Sequence, residues 1–431
     1  MSNSLALFGG EPSIRRSFPK FNSFDQQEEE VVLRVLRSGN LSSYLGAPGE
    51  NFYGGKEVLK FEEAFSAKFQ VNHSISVNSW TSGLWAIMGA LDLEPGSEVL
   101  VSSWTMAATA TTILHWGLIP VFVDINPKTF NIDFDDVVSK TSDKTKAIVS
   151  PDIFGLSADN LKLRKWCDSR GIYLVSDSAQ SPLATDEFGN LTSTLSHIGG
   201  FSLNYHKHIH TGEGGVVVTS DSTLAERVRM LRNHGEVAVE FGTNLQTRQR
   251  GILGMNLRMG EIEAAIGSIQ LKKIDKLIHS RRSAGIYLCE GLKNLSGLKV
   301  TYIPPGYQHS FYVCGLLLNY DSNPHLPPRE ILISALKAEG IPGLMSGYQN
   351  IHKLSLFRRQ FSIGSDGWPY SILTNSRRKE LAEITLPIAE KYHSELFFGF
   401  NMCAHNYSVA ELDEILNAFA KVWNNLESLK K

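Results

Sequence analysis

The 431-residue chain is short of several things, and each shortage excludes a class of protein. It has four cysteines, Cys167, Cys289, Cys314 and Cys403, widely scattered and without a Cys-x-x-Cys pair. That spacing gives neither a zinc ladder nor a disulfide framework, and it points to a reducing, cytoplasmic address. No run of eighteen apolar residues occurs, so no membrane span is expected. The opening Met1-Ser2-Asn3-Ser4-Leu5 lacks the basic start and apolar core of a signal peptide. Neither sign of charge is in excess: the formal net charge is −2, so the basic footprint of a nucleic-acid binder is missing. Repeats, heptads and low-complexity tracts are absent as well.

What is present has the composition of a globular protein, 42% hydrophobic and 20% charged. At about 100–200 residues per domain, the length fits two or three domains. Between residues 70 and 220, short apolar runs alternate with helical stretches. Strands are predicted at Ser74–Asn78, Glu98–Ser102, Pro120–Asp124, Ala147–Ser150, Ile172–Asp177, Gly200–Leu203 and Val216–Thr219. Helices are predicted between them at Leu84–Leu91, Ala107–Gly117, Asp135–Lys140, Asn160–Arg170 and Leu224–His234. This order specifies an α/β protein with a mostly parallel, seven-stranded sheet covered by helices.

After Asn256 the texture changes. Two helices (Gly260–Lys276 and Leu277–Leu292), short strands at Val300–Tyr302 and Phe311–Leu318, and helices near Arg329–Glu339 and Val409–Asn425 read as a smaller α+β domain. The last helix opens on a capping box, Ser408-Val409-Ala410-Glu411. The expected division is therefore residues 1–275, a large domain with its N-terminal segment, and residues 276–431, a small C-terminal domain.

Three short stretches carry chemistry. In the run from Phe201 to Gly215, a strand delivers Lys207 into a polar loop, and the turn Gly212-Glu213-Gly214-Gly215 leads back into a strand. The apolar strand Ile172–Val175 ends at Asp177, where ligands of open α/β sheets bind, and continues as Ser178-Ala179-Gln180-Ser181. Ser79-Trp80-Thr81-Ser82 joins a strand to a helix, and free amides at a helix start with nearby hydroxyls suit a phosphate. A lysine, a strand-end acid and a phosphate cup are the three demands of pyridoxal 5′-phosphate: an amine for the Schiff base, a carboxylate for the ring nitrogen, and an anion site.

With these residues in place, the chain resembles the pyridoxal-phosphate-dependent sugar aminotransferases of the DegT/DnrJ/EryC1/StrS family, which have the aspartate-aminotransferase fold (fold type I). The resemblance runs from Leu7-Phe8-Gly9-Gly10-Glu11-Pro12 to the C-terminal helix, and its most specific part is Ser-x-x-x-x-Lys-x-x-x-x-Gly-Glu-Gly-Gly from Ser202 to Gly215. It implies that Lys207 forms the Schiff base, that Asp177 pairs with the pyridinium nitrogen, and that Gln180 approaches the phenolic oxygen. It also implies that the backbone at Trp80 and the hydroxyls of Thr81 and Ser202 hold the phosphate. In Gly254-Met255-Asn256-Leu257-Arg258, Asn256 is implied to reach the phosphate of a neighbouring subunit, so a homodimer is expected. Leu231-Arg232-Asn233-His234-Gly235 matches a family pattern without an assigned chemistry.

Two departures stand out. The family carries glycine at Trp80, so this side chain must point away from the phosphate cup. An aromatic residue ordinarily stacks on the cofactor ring where this chain has Met106; a thioether can do so, with Trp104 as the alternative. His206, His208 and His210 alternate around Lys207 and on an extended segment would share one face. No metal is expected there. If protonated, these histidines would help to depress a lysine whose ordinary pKa is about 10.4. Tyr44 and Tyr53, in the glycine-rich stretch from Tyr44 to Lys56, are candidates for touching substrate near the entrance.

The implied activity is transfer of an amino group from glutamate or glutamine to a keto sugar, nucleotide-linked, for amino-sugar and polysaccharide biosynthesis. A keto-cyclitol or other non-nucleotide ketone as acceptor is one alternative. A sugar dehydratase, with histidine in place of the lysine, is a second, and a non-catalytic regulatory protein of the same fold is a third.

Overall fold

The computed structural model describes residues 4–47, 49–235 and 252–430. All seven expected strands of the large sheet form, each end within two residues of its predicted place. They are β1 (His73–Val77), β2 (Glu98–Ser102), β3 (Ile119–Val123), β4 (Thr145–Pro151), β5 (Tyr173–Asp177), β6 (Ile198–Ser202) and β7 (Gly215–Thr219). The order is β1-β7-β6-β5-β4-β2-β3, and only β7 runs against the rest. The central strands β2 and β7 are buried along their whole length because helices cover both faces, which explains their unbroken apolar runs.

The direction of the strands places the site. The carboxyl ends of β1, β2, β4, β5 and β6 lie along one edge, and β7 starts there, with Gly215 opposite both Val77 and Ser202. Asp177 closes β5, Ser202 closes β6, and Ser79 follows β1 as the N-cap of the helix Trp80–Ala90. The Ser79 hydroxyl accepts the Ser82 N–H at 3.1 Å.

The C-terminal part forms a second sheet, β8 (Leu298–Lys299), β9 (Val313–Leu318), β10 (Leu344–Ser346) and β11 (Phe397–Asn401), in the antiparallel order β10-β11-β9-β8. Residues 300–302, expected as a strand, follow the two-residue β8 instead. β10 and β11 have no counterpart in the sequence reading: one is three residues long, and the other is a buried Phe-Phe-Gly-Phe-Asn run without alternation. The capping box at Ser408 forms as expected.

The largest difference concerns the two helices expected at 260–276 and 277–292. They are one helix, Glu261–Leu292, because Lys276-Leu277 offers no glycine, proline or capping residue to stop it. Ala264, Leu271, Ile274 and Ile278 of this helix join a core with Phe61, Phe65, Phe201 and Val216. Ala284, Leu288, Cys289 and Leu292 join a second core under the small sheet. The change of core thus falls inside one helix, between Ile278 and Ala284. The N-terminal segment, grouped by sequence with the large domain, contributes Leu5, Ile14 and Phe18 to that second core. Glu339 anchors it there through the Ala6 N–H at 2.8 Å and the Ser13 N–H at 2.9 Å. Conversely Ile351, Phe357, Tyr370, Leu381 and Ala389 return to the core of the large sheet.

Candidate active site

At the carboxyl edge of the large sheet lies a cavity of about 230 Å³ lined by Ser79, Trp80, Thr81, Met106, Asp177, Gln180, Ser202 and Lys207, among others. It gathers seven of the eight predicted site residues, with Asn204, His206, Thr109 and Asp152 beside them. Lys207 sits in the turn after β6, whose N–H bonds the Asn204 carbonyl at 2.9 Å. Its side chain is 8% exposed, and Nζ lies 4.5 Å over the ring of Tyr312. Burial lowers the amine to a pKa of about 8, against the opposing pull of Asp177.

Asp177 is held on both oxygens. The Trp80 indole N–H donates to Oδ1 and the Thr109 hydroxyl to Oδ2, each at 2.7 Å. The Trp80 side chain therefore turns away from the helix start and into the core, as its bulk requires, while its backbone stays at the cavity. Gln180 is oriented at both ends: Oε1 accepts the Phe154 N–H at 2.8 Å, and Nε2 donates to the Tyr348 hydroxyl at 3.2 Å. Phe154 has φ +60°, a strained conformation for a non-glycine residue. It is wedged between the rings of Phe397 and Tyr348 at 5.2 and 5.0 Å.

The three histidines do not share a face, because the segment is a turn and not a strand. His206 lines the cavity, His208 bonds the Ser310 carbonyl at 2.9 Å, and His210 packs on Phe24 at 4.7 Å. Burial pushes His206 down to about 4 and His208 to about 3, and it lowers His210. They are neutral near pH 7 and supply no cationic help to Lys207. Its depressed pKa is an effect of burial, which corrects that expectation.

Met106, not Trp104, stands at the cavity. Trp104 is fully buried, donates to Asn350 Oδ1 at 2.8 Å and packs among Phe130, Phe154 and Phe397. Asn256 is exposed and lies outside the cavity of its own chain. Neither Tyr44 nor Tyr53 lines the cavity. Tyr44 is buried against Arg232, and Tyr53 donates to Glu226 at 3.2 Å; Pro48 of that loop lies outside the described residues. The unassigned Arg232-Asn233 pair pins this loop: Arg232 donates to the Tyr53 carbonyl at 3.2 Å, and Asn233 to those of Leu45 and Phe52 at 2.7 and 3.1 Å. Tyr312, Tyr348 and Thr109 were missed, since each comes from an element whose sequence signals only packing.

The donor set fits pyridoxal phosphate. One cavity holds a buried amine, a carboxylate, an oriented amide, and hydroxyls at the start of a helix. A Cβ on Gly215 would stand 2.8 Å from the Trp80 nitrogen, so this glycine lets β7 approach the first turn of that helix. Attachment of the cofactor aldehyde needs a neutral amine. Its rate is therefore expected to rise about tenfold per pH unit below the lysine's pKa and to level off above about 8. Stopped-flow growth of the visible band across a pH series checks this, and a rate independent of pH contradicts it.

Fold and site together define a pyridoxal-phosphate-dependent aminotransferase of fold type I. The family model of the "DegT/DnrJ/EryC1/StrS aminotransferase family" matches residues 43–395, and the chain belongs to that family. Among curated relatives, GDP-perosamine synthase of Vibrio cholerae is 32% identical over 70% of this chain and 78% of its own. L-glutamine:2-deoxy-scyllo-inosose aminotransferase of Streptoalloteichus tenebrarius is 28% identical over 97% of both. The aminotransferase structure from Psychrobacter cryohalolentis shares the fold, with a TM-score of 0.79 over 95% of this chain and all of that one, at 24% identity.

Proposed function

We propose that this aminotransferase moves an amino group from glutamate or glutamine to a nucleotide-linked keto sugar, working as a cytoplasmic homodimer. The observation that carries the reading is the buried amine of Lys207 beside Asp177 in one cavity, its pKa brought down to about 8. Pyridoxal phosphate, when bound, supplies the electron sink that allows a proton to leave the carbon bearing the amino group. Lys207 Nζ takes that proton and returns it on the other side of the transfer, a task that its lowered pKa suits near neutral pH. With the cofactor bound, Asp177 would accept from the ring nitrogen, and Gln180 would approach the phenolic oxygen. The Trp80 backbone, Thr81 and Ser202 would hold the phosphate, and Met106 would cover the ring. In this reading the cofactor site lies within residues 1–275, and residues 276–431 carry the small sheet, with the N-terminal segment packed under that sheet and residues 351–389 on the core of the large one.

The exposed position of Asn256 supports a dimer in which it serves the partner's phosphate. Leu253 and Met255, beside it in the chain, are 75% and 50% exposed, and Leu45, whose carbonyl accepts from the Asn233 that pairs with Asn256, is 55% exposed. The perosamine relative supports a nucleotide-sugar acceptor. The near full-length match to an inosose aminotransferase favours a keto-cyclitol as the second reading. Against a dehydratase stands Lys207 itself at the Schiff-base position.

The test is a two-stage titration of the cofactor-loaded protein. Glutamate or glutamine is expected to convert the visible band to that of the aminated cofactor, and a nucleotide-linked keto sugar to restore it. Restoration by 2-deoxy-scyllo-inosose alone selects the second reading. Failure of both amino acids to convert the band overturns the donor assignment.

A further inference from the structure

Trp80 does more than leave room for a phosphate. It is 6% exposed, and its indole lies in a slot cut by two glycines: a Cβ on Gly83 would stand 2.8 Å from Cε3, and one on Gly200 2.5 Å from Cζ3. Neither glycine has a positive φ, so the missing side chain at Gly83 serves space and not conformation. At Gly200 the Val216 carbonyl also closes in, 2.1 Å from such a Cβ. Fixed in this slot, the indole directs Nε1 to Asp177 Oδ1 at 2.7 Å. Thr109 holds the other oxygen at 2.7 Å and is itself 2.8 Å from the Thr105 hydroxyl. The Ala179 N–H adds a longer contact to Oδ1 at 3.3 Å. A carboxylate accepts at about four lone-pair sites, so capacity remains for one more donor.

We propose that Trp80 is a positioning residue for the cofactor: its indole N–H fixes the Asp177 carboxylate so that a remaining acceptor site meets the ring nitrogen of pyridoxal phosphate. The proposal rests on the pairing of Asp177 with that nitrogen. A carboxylate free to rotate in its buried site would lose this alignment, and hydrogen bonds to charged groups are the ones whose removal is most costly.

Trp80→Phe keeps an aromatic ring in the slot and removes the donor. Its affinity for pyridoxal phosphate, measured on the cofactor-free full chain by equilibrium titration, is expected to fall about tenfold. Affinity for the deaza analogue, in which carbon replaces the ring nitrogen, is expected to stay unchanged. Trp80→His is expected to recover most of the loss, because Nε2 holds the same place in its five-membered ring as indole Nε1. Equal losses for both cofactors, or no loss for either, overturn the proposal, since an indole that only props up the fold or the phosphate end cannot distinguish the two. Asp177→Ala separates the two levels of failure. If it loses affinity equally for both cofactors, or for neither, the Asp177 pairing falls and Trp80's role with it. If its loss is confined to pyridoxal phosphate and that of Trp80→Phe is not, only the role of Trp80 falls.

Discussion

Lys207→Ala is expected to leave a folded protein that lacks the visible band of lysine-bound pyridoxal phosphate and transfers amino groups about 10⁴-fold more slowly. Two features of the site argue for a clean result. Lys207 lies on a turn and lines a cavity, so its side chain belongs to none of the apolar cores. Its amine is buried at a depressed pKa, so the fold does not depend on its charge. The hydroxyls and backbone at the start of the helix Trp80–Ala90 remain, and cofactor retention through the phosphate is expected to persist. Absorption spectra and single-turnover rates of the loaded variant provide the measurement. A variant that keeps both band and rate would mean that another amine does the work, and the lysine assignment would fail.

Arg232→Met is expected to cost about 3–5 kcal/mol of stability, the usual result of stranding one partner of a buried ion pair. Arg232 is wholly buried, its guanidinium 2.6 Å from Glu62 Oε1 and 3.0 Å from the Ser76 carbonyl. Glu62 Oε1 also accepts the N–H and hydroxyl of Ser76, both at 2.8 Å, which ties the helix Lys56–Phe69 to β1. Removing the arginine leaves a carboxylate in the core. It also frees the Tyr53 carbonyl and so loosens the loop that the guanidinium pins. The double variant Glu62→Gln, Arg232→Met is expected to be more stable than Arg232→Met alone, because the stranded charge is gone. Urea unfolding of the three proteins decides it. Equal midpoints for wild type and Arg232→Met would show that the ion pair does not hold this region.

The large sheet was legible because each strand is a compact apolar run bounded by helix or turn signals, and β2 could be placed to the residue. Lys207 and Asp177 were legible because strand ends and a glycine-dense turn mark where a parallel sheet presents its ligands. The small sheet was not. β11 is Phe-Phe-Gly-Phe-Asn, buried along its first four residues, and such a run carries no period to separate strand from helix. The second tier of the site was hidden for another reason. Thr109 sits in a helix, Tyr312 beside a strand and Tyr348 in a loop after β10, so only long-range folding brings them to Asp177, Lys207 and Gln180. The histidines misled because their alternation matters only on an extended segment, and theirs is a turn.

The helix Glu261–Leu292 sets how the two halves of the molecule can communicate. At about 1.5 Å per residue, its 32 residues make a beam of roughly 48 Å. One end is embedded beside the cofactor-bearing sheet and the other beneath the small one. Halves joined by a loose tether can drift apart independently, but halves built on one beam cannot. The separation of the two cores is therefore set by one continuous helix.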